Sequence, residues 1–143
     1  MKKITVLFLC IISFVSLQIR VFAKNESEIM TYYNNVSMVN TSFTIDENGL
    51  ATVVVLFTGY EGITTGATIT TKIQKKIWPS FWMDIPTGTE DNLWVDEVTG
   101  ANCYKYHTCY VSKGTYRVQV QYEIRGIGGA SDIFTEEIER TYK

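Results

Sequence analysis

The chain has 143 residues, of which 45% are hydrophobic, 20% charged and 13% aromatic, and its formal net charge at pH 7 is -2. This length suits one domain with a hydrophobic core, and the composition is that of a globular protein. Thirteen basic against fifteen acidic residues leave no positive excess for holding nucleic acid, and a single histidine excludes a metal site built on two histidines. We predict no cofactor, no metal site and no nucleic-acid partner.

Residues 1–23 are predicted to form a cleaved secretory signal peptide with a helical apolar stretch. Lys2 and Lys3 provide a positive start, a largely apolar run extends from Ile4 to Ile19, and Val21-Phe22-Ala23 offers small residues to a signal peptidase. Cleavage after Ala23 removes three basic residues and no acidic one, which leaves 120 residues with a net charge of -5. We therefore expect a secreted, extracellular protein that does not associate with membranes after cleavage. A retained anchor is the less favoured alternative, because the apolar run is short for a span.

After residue 23 the sequence shows the two-residue alternation of β-strands and no helical periodicity. We assign residues 24–35 to a flexible N-terminal segment and residues 36–143 to a single β-domain. Val39, Phe43 and Ile45 share one face of the first strand, and Asn48-Gly49 supplies the positive φ angles of a tight hairpin turn. Leu50 to Thr58 is apolar on both faces and predicts a central strand.

Five further strands are predicted, and the pattern between Pro79 and Ala101 is loose because proline, glycine and acidic residues interrupt it. The strands are Gly66 to Trp78, Phe81 to Ile85, Cys103 to Val111, Thr115 to Arg125 and Asp132 to Tyr142. Seven strands with regularly spaced turns predict an all-β fold, an antiparallel two-sheet sandwich of immunoglobulin or fibronectin type. An open barrel of the same strands remains the alternative.

Tyr116 is predicted to form a structural tyrosine corner. It opens the penultimate strand after a glycine turn, which is where immunoglobulin-like folds place this residue. Val118 occupies the position at which antibody domains carry the second cysteine of their inter-sheet disulfide. We therefore expect no such bridge, as in fibronectin-type sandwiches.

Several short motifs of this chain form a recognisable set: Ala51, Gly59-Tyr60, Gln74-Lys75-Lys76 and the segment from Val111 to Val118. With these motifs the chain resembles a family of small secreted proteins of Gram-positive bacteria that have a signal peptide, one immunoglobulin-like sandwich and no assigned function. The motifs are structural, so the resemblance implies the fold and export but no activity. The long connection from Pro86 to Gly100 and the paired cysteines depart from the family pattern, and protein-specific function is expected there.

Both cysteines that remain after cleavage, Cys103 and Cys109, flank the only histidine, His107. Six residues of extended strand would separate their Cα atoms by about 20 Å, whereas a disulfide needs about 4.4–6.8 Å. A Cys103–Cys109 disulfide therefore requires this segment to fold back into a small loop, and export favours the oxidation. We expect this bridge, with two free thiols as the alternative. For a His107–Cys109 nucleophile pair, the sequence alone identifies no orienting group.

The predicted binding residues are four aromatic side chains: Trp78, Phe81, Trp82 and Trp94. Exposed rings of this kind stack on sugars or anchor a protein partner, and we expect one tryptophan in the core and one at the surface. The acidic pairs Glu90-Asp91 and Asp96-Glu97 are expected to be solvated. A calcium site and a sugar hydrolase are the alternatives for these carboxylates.

These features predict a secreted, non-enzymatic protein without catalytic residues, which binds an extracellular glycan or protein through the surface around Trp78 to Trp94. The alternative is a structural or self-assembling extracellular protein whose exposed edge strand pairs between copies. A small hydrolase ranks third. We expect a monomer or a weak homo-oligomer.

Overall fold

The computed structural model describes residues 33–143, and these residues form eight β-strands. The strands are β1 (Val36–Ile45), β2 (Leu50–Gly59), β3 (Thr64–Trp78), β4 (Phe81–Asp84), β5 (Trp94–Thr99), β6 (Asn102–Tyr110), β7 (Gly114–Gly126) and β8 (Asp132–Tyr142). The predicted signal peptide and residues 24–32 of the predicted flexible segment lie outside the described residues. Within residues 33–143, no helix is long and apolar enough to cross a membrane.

Two antiparallel sheets make up the domain. The three-stranded sheet has the order β1-β2-β6, and the five-stranded sheet has the order β4-β3-β7-β8 with β5 also paired to β3. The predicted all-β fold with two antiparallel sheets is therefore confirmed.

The core lies between the inner faces of the two sheets and follows the predicted alternation. Every second residue of β7 is buried, and β2 buries Val53, Val55 and Phe57 in the same way. Each fully buried side chain of this size stabilises the fold by about 1.5–3 kcal/mol. The buried residues of β7 are those predicted from the sequence: Tyr116, Val118, Val120, Tyr122 and Ile124.

The number of strands differs from the prediction because β5 breaks the expected long connection. The backbone N–H of Ile85 donates to the carbonyl of Ile73 at 3.1 Å, and Trp94 lies opposite Thr71 on the same strand β3. Only Lys72 separates those two β3 residues, so a single residue would suffice to join β4 to β5. Residues 86–93 are therefore a loop inserted into one broken edge strand.

The first hairpin turn is closed by a side chain as well as by a glycine. Gly49 has a φ angle of 80°, but Asn48 does not share the positive φ that the Asn-Gly prediction requires. Instead, a carboxylate oxygen of Asp46 accepts hydrogen bonds from the backbone N–H groups of Asn48 and Leu50, both at 2.8 Å. This turn sets the β1–β2 register, in which Ile45 lies opposite Ala51.

A buried carboxylate fixes the beginning of the described chain. Asp132, at the start of β8, accepts hydrogen bonds from the backbone N–H groups of Asn34 at 2.9 Å and Asn35 at 2.7 Å. The Asn35 side chain is fully buried and donates to the carbonyl of Ala130 at 2.9 Å. Asn34 and Asn35, which the sequence assigns to the flexible segment, are therefore attached to the domain by hydrogen bonds, and Asn35 is also buried.

Candidate functional site

The hairpin formed by β3 and β4 carries the most exposed tryptophan of the described chain. Trp78 is 72% exposed, and Phe81, its cross-strand neighbour, is 59% exposed. Met83 lies two residues further along β4, on the same face as Phe81, and is 50% exposed. These three side chains form the surface that we call the apolar hairpin face.

The hairpin face is exposed because β3 extends past its neighbour in the sheet. Pairing between β3 and β7 ends at Lys75, so the last residues of β3 pair only with β4. A bulge at Ile77 interrupts the register just before Trp78. The tip is thus a two-stranded ribbon.

The opposite face of the same ribbon is covered by cations. The Trp82 ring lies under the Lys76 ammonium, 5.3 Å from the ring centre, and under the Arg117 guanidinium at 4.5 Å. Arg117 is in turn held by Gln74, whose side-chain oxygen accepts a hydrogen bond at 2.7 Å. Trp82 is therefore half-buried in a fixed arrangement and does not join Trp78.

Trp94 occupies a third place, between the two sheets. Its ring stacks on His107 of β6 with the ring centres 4.8 Å apart and the planes inclined by 6°. His107 Nε2 lies 2.6 Å from a carboxylate oxygen of Asp96. Strands β5 and β6 therefore contact each other through the Trp94–His107 stack and the Asp96–His107 hydrogen bond. Trp94 is half-buried against the core, and none of the three tryptophans is fully buried. The expectation of a tryptophan inside the core is therefore wrong, and the four predicted aromatic residues do not form one site.

The two cysteines do not meet, and the expected disulfide is not formed. Cys103 and Cys109 are free, and they lie on the uninterrupted strand β6, which pairs with β2 along its full length. Because the strand does not fold back, the Cα atoms stay about 20 Å apart. Burial raises the pKa of both thiols, and the nearby Asp96 carboxylate adds to this effect at Cys103. Thiols with a raised pKa are poor nucleophiles at neutral pH.

The acidic residues of the long connection are dispersed. Glu90 and Asp91 are exposed in the 86–93 loop, whereas Asp96 contacts His107. Glu97 accepts a hydrogen bond from Thr68, and this contact and the neighbouring Arg125 lower its pKa. Among the described residues, no group of three or more histidines, cysteines and carboxylates is arranged to hold a metal ion.

Tyr116 lies at the start of β7 with its ring in the core. The side chain is 1% exposed, and its hydroxyl donates to the carbonyl of Ser112 at 2.7 Å. A hydrogen bond back to the backbone a few residues upstream is the contact that a tyrosine corner makes.

Three tyrosines form a row on β6 that was not predicted from the sequence. Tyr104, Tyr106 and Tyr110 are 66%, 65% and 78% exposed and point away from the core. The three tyrosines are separated by two and four residues in the sequence, and this spacing places them on one face of a strand.

Comparisons with known proteins identify no relative for this chain. No protein-family model matches it, and neither curated proteins nor solved structures give a match. The resemblance to the secreted Gram-positive family therefore stays a prediction.

Proposed function

We propose that the domain is an immunoglobulin-like sandwich of the fibronectin type. The assignment is supported by the strand order, because β1, β2 and β6 correspond to strands A, B and E, and β3, β7 and β8 to strands C, F and G. In this correspondence β4 and β5 together take the place of strand C′. The Tyr116 hydrogen bond to Ser112 lies at the E–F corner, where such folds carry it.

We also propose that the chain is a secreted, non-enzymatic binding protein whose apolar hairpin face anchors a protein partner. The observation that carries this proposal is the exposure of Trp78, Phe81 and Met83 on one side of a projecting ribbon. Large apolar side chains that project together are typical anchors for a pocket in a partner protein. Export, cleavage after Ala23 and the family resemblance belong to the same proposal.

The chemistry of the hairpin face favours a protein partner over a glycan. Its three side chains are two aromatic rings and a thioether, without the hydroxyl and amide groups that hydrogen-bond to sugars. The other side of the ribbon differs, since the Trp82 ring is already covered by Lys76 and Arg117. Trp78 and Phe81 are thus uncovered on one face while Trp82 is covered on the other, so a partner is expected to approach from the side of Trp78 and Phe81.

A binding role is also favoured over catalysis by the raised pKa of the thiols and by the positions of the carboxylates. The thiols of Cys103 and Cys109 have raised pKa values, and the carboxylates Glu90 and Asp96 point to different surroundings. Hydrolysis of a glycoside needs two carboxyl groups facing each other across a cleft, which this arrangement does not provide.

The test is photo-crosslinking of the chain from residue 24 onward in the extracellular fraction of its own source. A benzophenone amino acid replaces Phe81 in one sample and Ile133, an equally exposed residue of β8, in the control. We expect a discrete protein adduct only from position 81. Unlabelled wild-type chain and the Ile127→Ser variant should compete for it, while the Trp78→Ser/Met83→Ser variant should compete at least about tenfold less well.

Two results would contradict the proposal. The same adducts from both positions would show non-specific contact, and the absence of any protein adduct, with the fold intact by circular dichroism, would exclude a protein partner in that fraction. An adduct to a glycan would assign the hairpin to the other predicted ligand class.

A further inference from the structure

Among residues 33–143, no charged side chain lies on the outward face of the three-stranded sheet. Alternation along the paired strands assigns fourteen outward positions: three tyrosines, four aliphatic residues, and seven serines, threonines and asparagines. We call this surface the neutral face. Its residues are Met38, Asn40, Ser42, Thr44, Leu50, Thr52, Val54, Leu56, Thr58, Asn102, Tyr104, Tyr106, Thr108 and Tyr110.

This lack of charge belongs to one face and not to the whole surface. One residue in five of the chain is charged, so an ordinary solvated face of this size would hold about three charges. The outward face of the five-stranded sheet shows the ordinary pattern, with three ion pairs at 3.0–3.6 Å. They are Lys72–Asp84, Arg117–Glu137 and Arg125–Glu97.

The tyrosines form a row along the outer strand of the neutral face. Tyr104 and Tyr106 are separated by about 7 Å along β6, and Tyr110 lies about 14 Å further on. Each ring is about two-thirds exposed or more, and β6 is the last strand of its sheet. The row thus offers ring faces in line along an open side of the molecule, with hydroxyl and amide groups on the two strands beside it.

We infer that the neutral face binds a neutral oligosaccharide or polysaccharide. Tyrosine rings stack on the C–H faces of sugar rings, and serine, threonine and asparagine side chains hydrogen-bond to sugar hydroxyls. Because the face has no cation, it has nothing to neutralise the charge of an anionic polymer. A row of three rings fits an extended glycan and not a single sugar.

The same observations disfavour a second copy of this chain as the occupant. Half of the fourteen outward side chains are polar, whereas the interfaces of homodimers are more apolar than the rest of the surface. Pairing through the free edge of β6 is opposed by Lys105, an exposed charge within that strand. Charged residues of this kind protect edge strands from pairing with another chain.

The inference is tested by affinity electrophoresis with soluble polysaccharides. Mixed-linkage β-glucan, galactomannan and dextran are the neutral probes, and polygalacturonate and hyaluronan are the anionic ones. We expect retardation by at least one neutral probe, with an affinity that changes less than about twofold between low and high salt. Tyr104→Thr/Tyr106→Thr should weaken it by about tenfold or more.

Two further variants distinguish loss of binding at the neutral face from unfolding of the chain and from an effect of the hairpin. Thr108→Lys places a longer side chain at an exposed position between Tyr106 and Tyr110, where it would obstruct a glycan lying along the tyrosines, so it should weaken binding in a fully folded chain. Trp78→Thr/Phe81→Thr alters only the hairpin and should bind as the wild type does. Binding only to the anionic probes, equal loss in the hairpin variant, or no retardation by any neutral probe would overturn the inference, as would a dimer that the tyrosine variants dissociate.

Discussion

A hydroxyl pair links the two sheets inside the core. Thr41 of β1 and Tyr122 of β7 lie 2.6 Å apart and are almost completely buried. Removing one partner leaves the other without a hydrogen bond in an apolar environment, which costs about 1–3 kcal/mol. Removing both avoids that penalty.

We therefore predict strong coupling between these two residues. Tyr122→Phe and Thr41→Val should each lower the free energy of unfolding by about 1–3 kcal/mol, whereas the double variant, which leaves no hydroxyl unpaired, should be at least as stable as either single one. Urea denaturation of the four proteins measures this cycle. Thr115→Val removes a similar but exposed hydroxyl pair with Thr141 and should change stability by less than about 0.5 kcal/mol. Additive effects at Thr41 and Tyr122 would contradict the prediction.

The same tyrosine predicts a loss of stability in alkali. Burial raises the pKa of Tyr122 far above that of an unfolded tyrosine, which is about 10. Its contribution is therefore complete below pH 10. Above that value the unfolded chain releases the proton while the folded chain retains it, so stability falls by up to about 1.4 kcal/mol per pH unit. Urea denaturation between pH 8 and 11 should show a shallower decline for Tyr122→Phe than for the wild type, and equal declines would contradict this assignment.

At the scale of elements, the 86–93 loop interrupts an edge strand without supporting it. Its hydrogen bonds are local, since the Thr89 hydroxyl accepts from the Leu93 backbone N–H at 2.9 Å and donates to its carbonyl at 2.7 Å. Replacing residues 86–93 with one threonine opposite Lys72 should join β4 to β5 directly. We expect a folded domain whose free energy of unfolding changes by less than about 1 kcal/mol.

Gly128→Ala, a substitution in the β7–β8 turn, is expected to differ in its effect from removal of the 86–93 loop. There the Gly128 backbone N–H donates to the buried Asn35 side chain at 3.2 Å, and a methyl group on Gly128 would collide with the carbonyl of Asn34. Gly128→Ala should therefore destabilise the domain more than removal of the whole 86–93 loop. Thermal unfolding by circular dichroism compares the two, and the reverse order would mean that the loop has a structural role.

Strands with an ordinary pattern were predictable, and β6 shows why some features were not. Alternation separates the two faces of a strand, but it does not say which face is inside. The general rule places apolar residues inwards, whereas β6 turns its aromatic residues outwards and a more polar set inwards. Its inner residues are Cys103, Lys105, His107 and Cys109, and its outer aromatic residues are Tyr104, Tyr106 and Tyr110. Only the pairing with β2 settles the orientation.

Strand β5 was missed for a related reason. Its inner positions are Trp94, Asp96 and Val98, so a carboxylate interrupts the apolar side of a short strand that follows a loop. What makes Asp96 acceptable there is His107, a partner supplied by the other sheet. Local periodicity does not reveal a partner on another strand. Strands β3 and β7, by contrast, can be predicted from the alternation of their own residues.

At the scale of the whole molecule, the two sheets are joined where the chain crosses between them. One of these crossings, from β5 to β6, is at Gly100 and Ala101, and Asp96 and His107 lie on the two strands that flank it. Their contact of 2.6 Å and the stacking of His107 on Trp94 connect β5 to β6. The side chains of Asp96 and His107 are only 14% and 19% exposed, so water does not readily replace this contact.

We predict that His107→Ala loosens the whole sandwich and not only one strand. The variant removes the partner of a largely buried carboxylate and one ring of a stack, which should cost about 1–3 kcal/mol. Lys105→Ala, an exposed change on the same strand, should cost less than about 0.5 kcal/mol. Because the core is shared by both sheets, tryptophan fluorescence and far-ultraviolet circular dichroism should report one coincident transition at a lower urea concentration. Two separate transitions, or equal midpoints for the two variants, would show that this contact does not hold the sheets together.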